Sequence, residues 1–351
     1  MKAAVLEEQN KIVVKEVQNL DIDDDTILIK VKACGVCGSD IRIYKGGDKR
    51  VNYPIIIGHE ITGIIEKVGK NIQQFTEGDR VSASPGHACL NCTYCKNGQE
   101  NVCINPFPSI GYAINGGYAE YFIIPAHLIK AGFVNKLPDN LTFEQATLAE
   151  PLACCLNAHR HMDIKQGDTV LIFGAGPVGC IHTKLSQINN ASKVFLADLD
   201  SNRLELAKKF SPTKTINPTQ ENLKEIIMAE TNNIGVDKVF VCAPSKKAQT
   251  DGLDLLAPKG KINFFGGLAK NDSKIEIDSN LIHYKELIIT GTSSSTAQDN
   301  KEALKLLSEN KINAKEFITH TLPLEKIEEA LNIVDNKQGL KVVIIPNAAD
   351  E

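Results

Sequence analysis

The sequence predicts an α/β fold, with a doubly wound parallel sheet carried inside a β-rich domain, on three observations. Val170 to Phe173 is an apolar strand that runs into Gly-Ala-Gly-Pro-Val-Gly, and a second apolar strand closes on Asp198. Beyond Gly167, apolar strands alternate with helical runs, the pattern of a parallel sheet covered on both faces. Residues 1 to 85 read instead as short strands separated by Gly, Asn and Asp turns, as in a small all-β core.

Gly174, Gly176 and Gly179 spell G-x-G-x-x-G at the end of the first strand, with Pro177 and Val178 between them. Gly174 permits the tight turn, Gly176 lets backbone approach a pyrophosphate, and Gly179 lets helix and strand pack closely. The helix that follows presents its N-terminus to phosphate charge. Asp198, 19 residues beyond Gly179, is placed to accept hydrogen bonds from an adenosine ribose. A plain glycine-rich turn is the rival reading, and the flanking strands with the spaced carboxylate favour the dinucleotide site.

Of 351 residues, 42% are hydrophobic and 23% charged, as in a soluble globular protein of about two domains. A net charge of −4 offers no electrostatic footprint for nucleic acid or an anionic membrane. The first residues lack the apolar core of a signal peptide, and no stretch is long and apolar enough to span a bilayer. Ten cysteines, four clustered at metal-ligand spacing, favour thiolate ligation in a reducing cytoplasm over a disulfide framework.

In order, strands are predicted at Lys2–Leu6, Lys11–Val17, Thr26–Ala33, Glu60–Val68 and Arg80–Ala83. The acidic run Asp21–Asp25 reads as a solvated loop. A cysteine-rich lobe occupies 86–105, and a turn and strand fall within 116–125. Thr142 can cap a helix that begins at Phe143 and resumes after Pro151. Strands then follow at 169–173, 193–197, 237–242, 261–265 and 286–290, with helices such as 202–209 and 246–256 between them. Helices at about 299–309 and 324–335 precede a last strand, Gly339–Pro346, returning to the first domain. The expected division is therefore 1–150 with 291–351, and 151–290 inserted.

Cys89, Cys92, Cys95 and Cys103 make C-x2-C-x2-C-x7-C. Four thiolates at this spacing close a tetrahedron around Zn²⁺ with no position left for water, so the expected role is structural. An Fe-S cluster is the competing metal, but the Cys-Pro end of a ferredoxin run is missing. Metal removal should loosen this lobe. Cys37, in Gly-Val-Cys-Gly-Ser-Asp, and His59 and Glu60, in Gly-His-Glu, offer one thiolate, one imidazole and one carboxylate, ligand types that suit a catalytic zinc. Cys34 and Cys37 also spell C-x-x-C, but they follow a β pattern rather than open a helix beside a βαβ unit.

Together these motifs, with Glu-Pro-Leu at 150–152, Pro-Leu-Glu-Lys at 323–326 and Gly-Leu-Lys at 339–341, resemble the zinc-dependent medium-chain dehydrogenases, polyol dehydrogenases of the sorbitol type most closely. The resemblance covers essentially the whole chain. It implies a GroES-like catalytic domain with an inserted Rossmann domain, two zinc ions per chain, NAD, and a homodimer or homotetramer. It implies that Cys37, His59 and Glu60 surround the catalytic zinc and that Glu150, 24 residues before Gly174, is the fourth or exchanging ligand; Cys154 and Cys155 are the rivals. Ser39 resembles the family's proton-accepting hydroxyl, and Arg42 stands where many relatives carry a relay histidine. By resemblance Gly266, Gly267 and Leu268 line the nicotinamide end, and Lys341 reaches the pyrophosphate. Arg203 can pack on adenine or tolerate a 2′-phosphate, while the Asp198 charge favours NAD over NADP.

The substrate implied is a polyol or secondary alcohol, oxidised to a ketose by a Lewis-acidic zinc and hydride transfer. Ile43, Ser294 and Ser295 stand where sorbitol dehydrogenases carry aromatic and arginine side chains, so the pocket departs from the usual sorbitol pattern. Ser293 to Ser295 also read as a plain turn. Arg42, Lys45 and Lys49 suit a phosphorylated polyol or an ordinary charged surface. His87, His127 and His182 receive no role. Two alternatives stand beside this reading: a threonine-type amino alcohol dehydrogenase, and a catalytically silent nucleotide-binding protein.

Overall fold

The structure, a computed structural model, describes residues 1–347, with Lys270 described in its backbone alone. The chain divides into two compact units, Met1–Ala153 joined by the segment from Ser295 onward, and Cys154–Ser294.

The first unit is built on a seven-stranded sheet. Strand Ile27–Val36 lies at its centre, paired antiparallel with Glu60–Val68, with Lys341–Ile345 and with Tyr121–Ile124. Ile29, Val31 and Ala33 are fully buried while Lys30 and Lys32 are not, which is the period-2 pattern of a strand with one face on the core. Burial of Ile29 and of Val31 contributes about 1.5–3 kcal/mol each. A second, three-stranded sheet of Lys2–Glu8, Lys11–Glu16 and Ile55–Ile56 packs into the same core. The C-terminal strand Lys341–Ile345 is a sheet neighbour of Ile27–Val36.

Unit two holds six parallel strands. Their order is Lys214–Ile216, Lys193–Ala197, Thr169–Phe173, Val236–Val241, Leu256–Phe264 and Ile288–Gly291. Chain direction of build-up reverses between Thr169–Phe173 and Val236–Val241, the switch point where such sheets bind ligands at their carboxyl edge. The strand cores, such as Val170–Ile172 and Val239–Val241, are fully buried, as continuous apolar strands covered by helices must be.

Two local readings change. The helical run does not break at Pro151: helix Ala149–Met162 takes it in the first turn, where a missing N–H leaves nothing unpaired. A helix the sequence does not announce, Gly38–Gly46, follows Cys37 directly. The expected cap at Thr142 forms as a box, its hydroxyl accepting from Gln145 N at 3.3 Å and its N–H donating to Gln145 Oε1 at 3.1 Å. No helix among the described residues is long and apolar enough to cross a membrane.

Candidate metal and nucleotide sites

Sheet register assembles the mixed-ligand cluster. Gly35 pairs with Glu60, and Val36 with Val342. Cys37, just beyond one strand end, therefore meets His59, just before its neighbour's start, and Lys341 on the other side. Gly58 is needed at the approach: its φ is +93°, and a Cβ there would sit 2.8 Å from the Tyr118 ring. The donor atoms of Cys37, His59 and Glu60 lie within 4.8 Å of one another. His59 and Glu60 are buried, and Glu60 Oε1 has no hydrogen-bond partner, so a cation would complete an otherwise orphaned acceptor. Such a donor set fits Zn²⁺.

Glu150, in the first turn of its helix, is almost fully buried and close enough to act electrostatically on both Glu60 and Lys341, but its carboxylate is outside the 4.8 Å group. Ser39 Oγ is 3.5 Å from His59 Nε2. Lys341, read by resemblance as a pyrophosphate contact, has its ammonium buried against Glu60 and donating to the Val36 carbonyl at 3.2 Å. Burial alone would lower its pKa; Glu60 above all, with Cys37 and Glu150, holds it above the ordinary lysine value. Ile43 is a core residue with no exposure, and Ser295 Oγ accepts from Asn300 Nδ2 at 3.1 Å.

Two residues absent from the expected set support the cluster. Asp40, wholly buried, accepts from Cys37 N and from Tyr118 Oη, each at 2.9 Å, and faces His59 Nδ1. Burial would raise its pKa, but the His59 charge and these hydrogen bonds outweigh that and hold the carboxyl below its usual range. An acid three residues after an N-cap is a capping signal, which could have marked Asp40 in the sequence. No local pattern marks Tyr118, which arrives from a distant segment.

The four-cysteine lobe is compact. Cys89–Cys95 and Cys92–Cys103 sulfurs are each 3.9 Å apart, close to the roughly 3.8 Å edge of a tetrahedron with ~2.3 Å Zn–S bonds. Backbone N–H groups of Cys89, Cys92 and Cys95 point at the sulfurs of Cys103, Cys89 and Cys92 at 3.3–3.5 Å. The Cys95 N–H in particular brings the Cys92 thiol down to about 6, toward the thiolate a metal requires. None of the ten cysteines forms a disulfide.

In the second unit, Gly174 has φ +106°, and Gly176 is the N-cap of helix Pro177–Ile188, with Val178 and Gly179 in its first turn. A Cβ at Gly179 would collide with the Gly174 carbonyl, the close helix–strand approach the motif serves. Asp198 follows strand Lys193–Ala197 and accepts from Ala175 N at 2.7 Å and Asp200 N at 2.9 Å. Its carboxylate is thereby tied to the glycine turn. Arg203 reaches over the same turn, its Nη1 3.5 Å from where a Gly176 Cβ would stand. Gly266 donates to Val241 O at 2.8 Å and, with Gly267 and Leu268, leaves strand Leu256–Phe264 at the same carboxyl edge.

Residues 23–138 match the alcohol dehydrogenase GroES-like domain, and 177–309 match the zinc-binding dehydrogenase domain. D-arabitol-phosphate dehydrogenase of Enterococcus avium is 33% identical, over 92% of this chain and 91% of its own. Sorbitol dehydrogenase of Bacillus subtilis is 31% identical, over 99% of this chain and 98% of its own. Among solved structures, a protein assigned to the zinc-binding dehydrogenases from Sinorhizobium meliloti 1021, bound to NADP, superposes with a TM-score of 0.90 at 28% identity, covering 98% and 99% of the two chains. The chain belongs to the zinc-dependent medium-chain alcohol and polyol dehydrogenases, oxidoreductases of small-molecule alcohols.

Proposed function

We propose that the protein oxidises a secondary alcohol of a polyol, or of its phosphate ester, to a ketose, with NAD as hydride acceptor. The observation that carries this is the Cys37, His59 and Glu60 donor set within 4.8 Å, in a chain that also presents the glycine turn tied to Asp198. Cys37, His59 and Glu60, with Glu150 as the exchanging ligand, hold the catalytic zinc; Cys89, Cys92, Cys95 and Cys103 hold the structural one. Zinc, when bound, would supply Lewis acidity that eases loss of a proton from the substrate hydroxyl. Ser39, beside His59 and partly exposed, relays the alcohol proton, its oxygen accepting that proton as its own hydroxyl proton passes to water. Asp40 fixes the imidazole by facing its Nδ1.

Asp198 accepts from the ribose hydroxyls, and its charge repels a 2′-phosphate, which supports NAD. Arg203, over Gly176, faces the pyrophosphate or adenine side of the same turn. Gly174, Gly176, Pro177, Val178 and Gly179 cradle the phosphates, and Gly266, Gly267 and Leu268 lie toward the nicotinamide. Strand Ile288–Gly291 ends the six-stranded sheet with Ile288 exposed, and Tyr284 of the preceding helix Ser279–Lys285 is exposed too, which supports a homodimer or homotetramer. Ten cysteines with no disulfide among them suit the reducing cytoplasm.

The test is NADH and NADPH formation, read by absorbance, from polyols, polyol phosphates and L-threonine, before and after chelation of metal. Oxidation of a polyol substrate, faster with NAD and abolished by chelation, supports the proposal. Threonine as the best substrate, NADP as the better acceptor, or no turnover would each overturn the corresponding part.

A further inference from the structure

The loop after helix Gly38–Gly46 carries charge that the catalytic reading leaves unused. We propose that Arg50 recognises a terminal phosphate ester, so that the substrate is a phosphorylated pentitol or hexitol; this rests on the polyol dehydrogenase reading above.

Arg50 is presented rather than merely exposed. Its Cζ lies 4.0 Å above the centre of the Tyr112 ring, and that ring, itself buried, is 5.4 Å from the His59 ring. The guanidinium thus stands one aromatic ring away from the proposed reaction centre. That is the kind of span a pentitol or hexitol chain covers between its reacting carbon and its far end.

Asp48 locks the group in place. Nε donates to Oδ1 at 2.9 Å and Nη2 to Oδ2 at 2.8 Å, while the Arg50 backbone N–H also donates to Oδ1 at 3.0 Å. Two of the five guanidinium N–H groups are used in this clamp and the Tyr112 side chain engages the group further, which leaves the remaining N–H groups to donate to a ligand. Arg42 approaches the same carboxylate, its Nη2 3.5 Å from Oδ2. Two guanidiniums therefore share one counter-charge, and the loop keeps a net positive charge with a pre-oriented donor group. The Arg50 side chain is 46% exposed, which leaves part of it open to a ligand. A neutral polyol offers nothing that calls for such a group, whereas a phosphate dianion matches it in charge and geometry.

The experiment uses full-length, zinc-loaded protein and two probes, D-arabitol and its terminal phosphate ester. It measures kcat/KM for both and calorimetric binding of the ester, in the wild type, Arg50→Gln and Arg50→Lys. Metal content and Tm verify that each variant is folded. The wild type should prefer the ester. Arg50→Gln should lower the ester-to-polyol ratio of kcat/KM by about 30- to 100-fold, mainly through KM, as expected for a lost charge-assisted hydrogen bond. Arg50→Lys should fall between, keeping the charge and losing the fork.

A wild-type ratio near one, or a ratio unmoved by Arg50→Gln, would overturn the inference. If neither compound is oxidised but the ester binds the wild type and not Arg50→Gln, the phosphate site stands and the dehydrogenase reading fails. If the ester neither reacts nor binds, the phosphate site fails as well.

Discussion

Asp40 Oδ1 stands 3.4 Å from His59 Nδ1, with both side chains buried. A carboxylate behind an imidazole fixes the proton on Nδ1 and leaves Nε2 as the donor atom toward a metal. Tyr118 and the Cys37 N–H hold the other carboxylate oxygen, so the His59 imidazole is coupled to the Cys37 backbone.

Asp40→Asn should therefore weaken zinc binding at this site by roughly 10- to 100-fold without touching a ligand. Competition with a coloured chelator measures this directly. Unchanged affinity would mean that the Asp40–His59 contact does not orient the imidazole.

The buried Glu60–Lys341 pair gives a stability prediction. In metal-free protein, removing one member leaves the other charge uncompensated, so Lys341→Met should there cost about 3–5 kcal/mol in denaturant unfolding. The double change Glu60→Gln with Lys341→Met should recover much of that loss. Equal costs for the single and double variants would show that the ion pair is not the relevant term.

Acid sensitivity should come from the second unit. His182 is fully buried, stacks 4.3 Å from Phe240 and 5.1 Å from His159, and neither of its ring nitrogens has a hydrogen-bond partner. Burial depresses both histidines, His159 to about 3 and His182 well below its usual value, with His159 adding to the effect on His182. Their folded pKa values lie below the unfolded value near 6.5, so on acidification the unfolded chain binds protons that the folded one refuses. Their contribution is intact above pH ~6.5 and declines below it, by about 1.4 kcal/mol per pH unit for each histidine. Denaturation midpoints at pH 7.5 and 5.5 should differ accordingly, and His182→Leu should flatten the slope. An identical slope in that variant would remove His182 from the account.

Much of the fold is legible in the sequence because its signals are local. Strand Glu60–Val68 and the strands at 169–173 and 193–197 fall where apolar runs bounded by turn residues put them. Helix Gly38–Gly46 escapes, since glycines at both ends and the β-branched Ile41 and Ile43 weaken its helical signature. Strands Lys214–Ile216 and Ile318–Pro323 escape too, being short or bounded without clear turn chemistry. The cluster of Cys37, His59 and Glu60 is suggested by residue type, but its support is not. Asp40, Tyr118, Tyr112 and Lys341 come together through register between strands far apart in the chain, which no local pattern encodes.

The proposed function requires Cys37 and His59 to hold a metal separate from the four-cysteine one, and metal content per chain tests that most directly. The wild type should carry two zinc equivalents, and Cys37→Ser one, with the loss confined to the mixed-ligand site and alcohol oxidation gone with it. Two equivalents retained in Cys37→Ser, with turnover intact, would contradict it.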